Sequence, residues 1–165
     1  MEDDEKIIKN TQKILNKLIS EEIVAANLYN GSITSVKPEQ VCFIREKFQE
    51  IANDELNDHW VQLTKFANEN GFDVPFKMKD IEKYASKKLL SKVENLKNKE
   101  DAIYYIEKAI EGEEEAIKSF EEALNDEWLF NELQPILLRC YYEEIQHLEE
   151  LNLLYRCTAI GVQVK

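Results

Sequence analysis

The sequence predicts an all-α fold, a bundle of four long helices arranged as two antiparallel pairs. Three observations predict it. Glycine (4) and proline (3) are scarce in 165 residues, while 33% of the chain is charged and 44% hydrophobic, a balance that suits long helices rather than a turn-rich β fold. Four long segments carry apolar residues at alternating spacings of three and four. One long connection interrupts them at the midpoint.

The first helix is expected from about residue 4 to 33, with Ile8, Thr11, Leu15, Leu18, Glu22, Ala25 and Tyr29 on one stripe. The second runs from about 38, where Pro38 suits a first turn, to about 70, where Asn70-Gly71 ends it. Its stripe is Val41, Ile44, Phe48, Ile51, Glu55, then residue 58 or 59, Gln62 and Phe66. The third spans about 99 to 124, after an N-cap expected at Asn98, with Ile103, Ile106, Ile110, Glu113, Ile117, Phe120 and Leu124 in line. The fourth spans about 127 to 156 and aligns Leu137, Cys140, Glu144, His147, Leu151 and Leu154. Between the second and third, the stretch from about 78 to 96 reads as a crossover helix. A helical connection of this length joins two antiparallel pairs, and residues 1–165 are expected to form one domain.

Charge and terminal sequence exclude several classes. The net charge of −12, without a basic tail, argues against nucleic acid, because phosphate binding is driven by Lys and Arg. No apolar run reaches the roughly 20 residues of a bilayer span, and MEDDEKIIKN resembles neither a signal core nor a transit peptide. The chain reads as soluble and cytoplasmic. Three cysteines, Cys42, Cys140 and Cys157, are odd in number and lack C-x-x-C spacing, so Cys42 and Cys140 read as small core residues in a reducing compartment.

Glu22, Glu55, Glu113 and Glu144 occupy positions where each stripe demands an apolar residue. An ionised carboxylate in a dry core costs several kcal/mol unless it is paired, and no Lys or Arg stands at a matching position. Four carboxylates are balanced by two divalent cations. Both histidines follow a stripe glutamate, Glu55-x-x-x-His59 and Glu144-x-x-His147, and either spacing keeps the pair on one helical face. A Glu from each of two helices with a Glu-and-His pair from each of the others is the ligand set of di-iron carboxylate bundles. Carboxylate and imidazole donors suit iron or manganese better than a thiophilic metal. Within EGEEEAIKSFEEAL only Glu113 lies on the stripe, and Glu114, Glu115 and, on the fourth helix, Glu143 turn away from it.

These motifs resemble the ferritin-like superfamily, in particular bacterioferritin and Dps-like proteins with a bacterioferritin-type site. EEIVAANLY is similar to the first-helix motif in which an iron ligand precedes a tyrosine by seven residues, here Glu22 and Tyr29. EEIQH resembles the fourth-helix motif, and Glu113, Ala116 and Ile117 match the E-x-x-A-I pattern of the third. The resemblance covers the four long helices and implies ferroxidase chemistry, in which two Fe²⁺ ions are oxidised by O₂ or H₂O₂. It implies Glu22, Glu113, His59 and His147 as terminal ligands, Glu55 and Glu144 as bridges, and Tyr29 as a hydrogen-bond donor to a ligand or an electron donor.

Three departures accompany it. DELNDHW spaces Glu55 and His59 by four where the family has three, so either a π-type bulge turns His59 inward or Asp58 takes its place. Leu56 stands where bacterioferritins carry the haem-ligating methionine, so no haem is expected. The tail CTAIGVQVK is too short for a fifth helix, which favours a homo-oligomer like the twelve-subunit Dps-like shell. The competing readings are a rubrerythrin-type di-iron peroxidase, for which no four-cysteine iron domain is present, and a metal-free helical assembly subunit.

Overall fold

A computed structural model describes residues 1–35, 42–96 and 102–160. The elements are α1 (Glu2–Ser35), α2 (Cys42–Asn53), a π-helical segment (Asp54–His59), α3 (Trp60–Glu69), α4 (Met78–Tyr84), α5 (Lys87–Glu94), α6 (Ala102–Leu124), a 3₁₀ turn (Asn131–Leu133) and α7 (Gln134–Ala159). Among the described residues there is no strand. The expected N-cap at Asn98, and Pro38 and Val41, lie outside the described residues.

Four rods form the bundle: α1, the continuous run from α2 through the π segment to α3, α6 and α7. Helix α1 begins with Glu2, Asp3, Asp4 and Glu5, whose charges oppose the positive end of the helix dipole. Its buried face starts at Thr11 and runs through Leu15, Leu18, Ile19 and Glu22 to Tyr29, whereas Ile8 is 53% exposed and stands off the core. Gly71, at φ +75°, closes α3 in the left-handed conformation that favours glycine. Phe72 then donates its N–H to the Ala67 carbonyl at 2.8 Å, and its ring lies 6.2 Å from that of Phe66 and 6.0 Å from that of Phe130, which are themselves 5.9 Å apart. This aromatic cluster seals one end of the bundle.

The crossover is two short helices rather than one. Ala85 and Ser86 take extended backbone between α4 and α5, because serine favours a helix start over a helix interior and the Ser86 hydroxyl donates instead to Glu115 at 3.3 Å. Ile81, Ala85 and Leu89 still pack on Val24 of α1. Helix α7 starts at Gln134 rather than near 127, since Pro135 is confined to its first turn. Ahead of it, Asp126 accepts the Trp128 N–H at 2.9 Å and Thr11 accepts the Phe130 N–H at 2.9 Å. On α6 the deepest residues are Tyr105, Ile106, Ala109 and Phe120, while Ile103, Ile110 and Ile117 are half-buried. Gly112 sits where an added Cβ would lie 3.0 Å from Leu28 Cδ2, so α1 and α6 approach closely there.

Candidate metal centre

The bundle midsection collects every acid and both histidines that the stripes singled out. Glu22 (α1), Glu55 and His59 (π segment), Glu113 (α6), and Glu144 and His147 (α7) are all buried, none more than 4% exposed. On α7, an unbroken helix, the spacing of three from Glu144 to His147 keeps both side chains inward. On the second rod the spacing is four, and the π-helical segment accommodates it: Trp60 N–H bonds to the carbonyl of Glu55, one residue further back than in an α-helix. His59 thereby faces the core, and the stripe resumes one residue late, with Leu63 buried and Gln62 partly exposed. Asp58 turns outward to Arg139, whose Nη2 donates to both carboxylate oxygens at 2.9 and 2.7 Å.

Two overlapping donor groups result. Glu22, Glu55, His59 and Glu144 offer one atom each within 4.8 Å of one another, and so do Glu55, Glu113, Glu144 and His147. Glu55 and Glu144 belong to both. His59 Nδ1 lies 2.8 Å from Glu144 Oε1, 3.5 Å from Glu22 Oε2 and 3.6 Å from Glu55 Oε2. His147 Nδ1 lies 3.6 Å from Glu55 Oε1, 3.7 Å from Glu113 Oε1 and 3.9 Å from Glu144 Oε2. Neither Nδ1 is aligned for a hydrogen bond, and both oxygens of Glu55 and Glu144, with Glu22 Oε2 and Glu113 Oε2, are likewise unpartnered. Eight buried polar atoms therefore converge without satisfying one another, an arrangement that costs free energy as it stands.

Protons partly relieve the strain. Burial, reinforced by the charge of Glu55, pushes Glu22 well above the usual carboxylate range, and burial with Glu144 does the same to Glu113. Burial, the largest single influence, opposes ionisation of Glu55 too, but Glu22, His147 and His59 beside it together outweigh burial and hold Glu55 down at about 2. For the histidines, burial favours the neutral ring, but the surrounding carboxylates override it and raise both imidazoles. Tyr29 donates its phenol to Glu113 Oε1 at 2.5 Å, and burial together with that carboxylate keeps the phenol protonated.

Two residues of the site escaped the sequence reading. Glu143, turned off the stripe, accepts from His59 Nε2 at 2.6 Å, and Asp54 accepts from His147 Nε2 at 2.9 Å. Each fixes its ring so that Nδ1 faces the cluster. The available signal was an acid immediately before each Glu of a Glu-and-His pair, Asp54-Glu55 and Glu143-Glu144. Arg139 Nε donates to Glu143 at 3.0 Å, so Asp58, Arg139, Glu143 and His59 form one chain of contacts. A cavity of about 200 Å³ opens on the outer side of His147, lined by Glu50, Asp54, Asp58, Glu143, Gln146 and Glu150.

Cys140 is buried on α7, and burial pushes its thiol up and keeps it protonated. Cys157 is free and partly exposed, whereas the Cys42 side chain lies outside the described residues. The indole Nε1 of Trp60, beside His59, has no partner. No helix among the described residues is long and apolar enough to cross a membrane.

No protein-family model matches the sequence, and no curated protein does. Among solved structures, the chain is similar to the bacterioferritin-related protein of Bacteroides fragilis, a dodecameric thioferritin. The TM-score is 0.77 at 18% identity, over 93% of this chain and 89% of that one. The long helices, the crossover after the second rod and this structural likeness agree: the chain has the ferritin-like fold.

Proposed function

We propose that the chain is a ferroxidase of the ferritin and Dps-like type, which takes up two Fe²⁺ ions and oxidises them with O₂ or H₂O₂ for iron storage or protection against oxidative stress. One observation carries this reading: eight unpartnered buried donor atoms converge in two groups that share Glu55 and Glu144. Glu22 with His59 would hold one ion and Glu113 with His147 the other, and Glu55 and Glu144, common to both donor groups, would serve both. Four carboxylates balance the charge of two divalent ions, and the carboxylate and imidazole donor set suits iron, with manganese the other fitting ion.

When bound, the two ions supply two electrons, which with two protons reduce H₂O₂ to two waters or O₂ to H₂O₂. The chain's own residues do the rest. Glu143 and Asp54 hold the imidazoles with Nδ1 inward, and Tyr29 anchors Glu113 by one oxygen, leaving Oε2 for a cation. The acidic cavity beside His147 attracts cations toward the cluster. The dodecameric state of the Bacteroides fragilis protein supports assembly of this chain into a twelve-subunit shell. A cytoplasmic location and the lack of haem belong to the same proposal and rest on the sequence alone.

The test is metal content and iron oxidation. Purified protein reconstituted with Fe²⁺ under argon binds about two ions per chain, and admission of air produces ferric absorbance faster than in buffer alone. Content near zero, or a rate unchanged in Glu144→Ala, leaves a helical scaffold instead. Light scattering reads the size of the assembly.

A further inference from the structure

The chain's positive charge is unevenly placed. Residues 77–96 hold six lysines against Asp80, Glu82 and Glu94, in a molecule of net charge −12. Four of the basic side chains gather at one cavity of about 620 Å³ between α5 and α6, lined by Lys87, Lys88, Ser91, Lys92 and Asn95 on one wall and Tyr104 and Lys108 on the other. Every one of these side chains carries a hydrogen-bond donor, and none of the described lining residues is acidic.

Among the described residues, the counter-charge paired with the cluster is smaller than its own charge. Glu111, outside the lining, pairs with Lys92 at 3.1 Å and Lys108 at 3.3 Å, while Lys88 and Lys92 face one another one helical turn apart, an arrangement that is repulsive by itself. Among the described residues, one carboxylate pairs with the four ammonium groups. Ser91 Oγ accepts from Asn95 Nδ2 at 2.9 Å, which leaves the serine hydroxyl hydrogen free to donate.

We propose that this groove binds a polyphosphate anion of triphosphate size, held by Lys87, Lys88, Lys92 and Lys108. Three linked phosphates carry enough charge to neutralise the cluster, and tetrahedral oxyanions accept from ammonium and hydroxyl donors in any orientation. The groove is separate from the buried carboxylates and does not depend on the metal reading. Inorganic tripolyphosphate and the phosphate chain of a nucleotide present the same chemistry.

Calorimetric titration of the purified full chain at low salt, with tripolyphosphate in one arm and ATP in another, tests it. Saturable binding of one anion per chain, weakened by added salt, is expected. Similar affinity in both arms assigns recognition to the phosphates alone, and ATP tighter by more than tenfold assigns the nucleotide as the source.

Lys87→Ala and Lys88→Ala each weaken binding by about fivefold, the upper range for a partly exposed charge contact. The triple variant Lys87→Glu/Lys92→Glu/Lys108→Glu abolishes it with helical content unchanged. Glu111→Gln, which releases two lysines, tightens binding. Lys9→Glu/Lys65→Glu, the same kind of charge change elsewhere, and Glu144→Ala leave it intact. The proposal is overturned by no saturable binding in either arm, by equal loss in the Lys9/Lys65 control, by loss in Glu144→Ala, or by weakening in Glu111→Gln. Dissociation of an oligomer by the triple variant in a chain that binds neither anion identifies an acidic surface of a second copy as the occupant, and this too overturns it.

Discussion

The Tyr29 phenol donates to Glu113 Oε1 across 2.5 Å, tying α1 to α6 at the level of the buried carboxylates. The tyrosine thus acts on the cluster through a neighbour and leaves the second oxygen of that neighbour available. Tyr29→Phe removes the donor and orphans a buried acceptor, at a cost of about 1–3 kcal/mol in metal-free protein. Urea denaturation with and without chelator measures it. Metal content of the variant stays near two per chain.

Glu22 and Glu113 are held protonated by burial and by their acidic neighbours. Replacing either with Gln therefore leaves the metal-free protein at least as stable, while removing the stabilisation that metal confers. For the parent chain that stabilisation is about 2.7 kcal/mol at a metal concentration one hundred times the dissociation constant. Thermal unfolding with Mn²⁺, or with Fe²⁺ under argon, reads both effects. A Glu22→Gln variant stabilised by metal as much as the parent contradicts the assigned ligands.

The direction of the pH dependence follows from the same groups. Raised folded-state values mean that the metal-free native chain binds more protons than the unfolded chain. The stability contributed by Glu22 and Glu113 is complete below the ordinary glutamate range and is lost as pH rises through their raised values; for His59 and His147 the loss begins above about 6.5. Glu55 runs the other way and loses its contribution as pH falls toward 2. Cations must displace these protons, so affinity rises with pH and binding releases acid. A titration in weak buffer with a pH indicator detects it, and binding without proton release contradicts the assignment.

His59 and Asp58 face opposite ways from neighbouring positions, one into the cluster and the other onto Arg139. His59→Ala lowers the metal content below two per chain. Asp58→Asn breaks an exposed ion pair worth at most about 1 kcal/mol and leaves the content unchanged. Elemental analysis of the two variants separates the roles.

What the sequence made legible depended on whether a helix was regular. On α7, where nothing interrupts the ladder, Leu137, Cys140, Glu144, His147, Leu151 and Leu154 are all buried as their spacing requires. On α6 the spacing was right but the emphasis was not: large isoleucines at 103, 110 and 117 drew the stripe, whereas the small residues Ala109, Gly112 and Ala116, which hydropathy undervalues, are the buried ones, and α1 approaches closely at Gly112. The break at Ala85-Ser86 left no trace in the apolar pattern, since Ile81, Ala85 and Leu89 keep an unbroken helical period across it. Glu143 and Asp54 were hidden for another reason. Their partners lie on a different rod, and a single stripe holds no information about what faces it.

The π-helical turn between Glu55 and His59 has a consequence for how the chain tolerates change in length. Each residue of an α-helix advances about 100° around the axis, so one residue added or lost rotates everything beyond it off the core. Here Ile51 before the turn, Glu55 and His59 within it, and Leu63 and Phe66 after it all face inward, so the turn absorbs one residue of phase. The second rod is in effect two in-phase stripes with a spare residue at their junction, and that junction lies at the cluster itself. Shortening the chain there lets the helix close into a regular ladder with both halves of the core kept. The same deletion elsewhere in the rod turns one half of its apolar face to water.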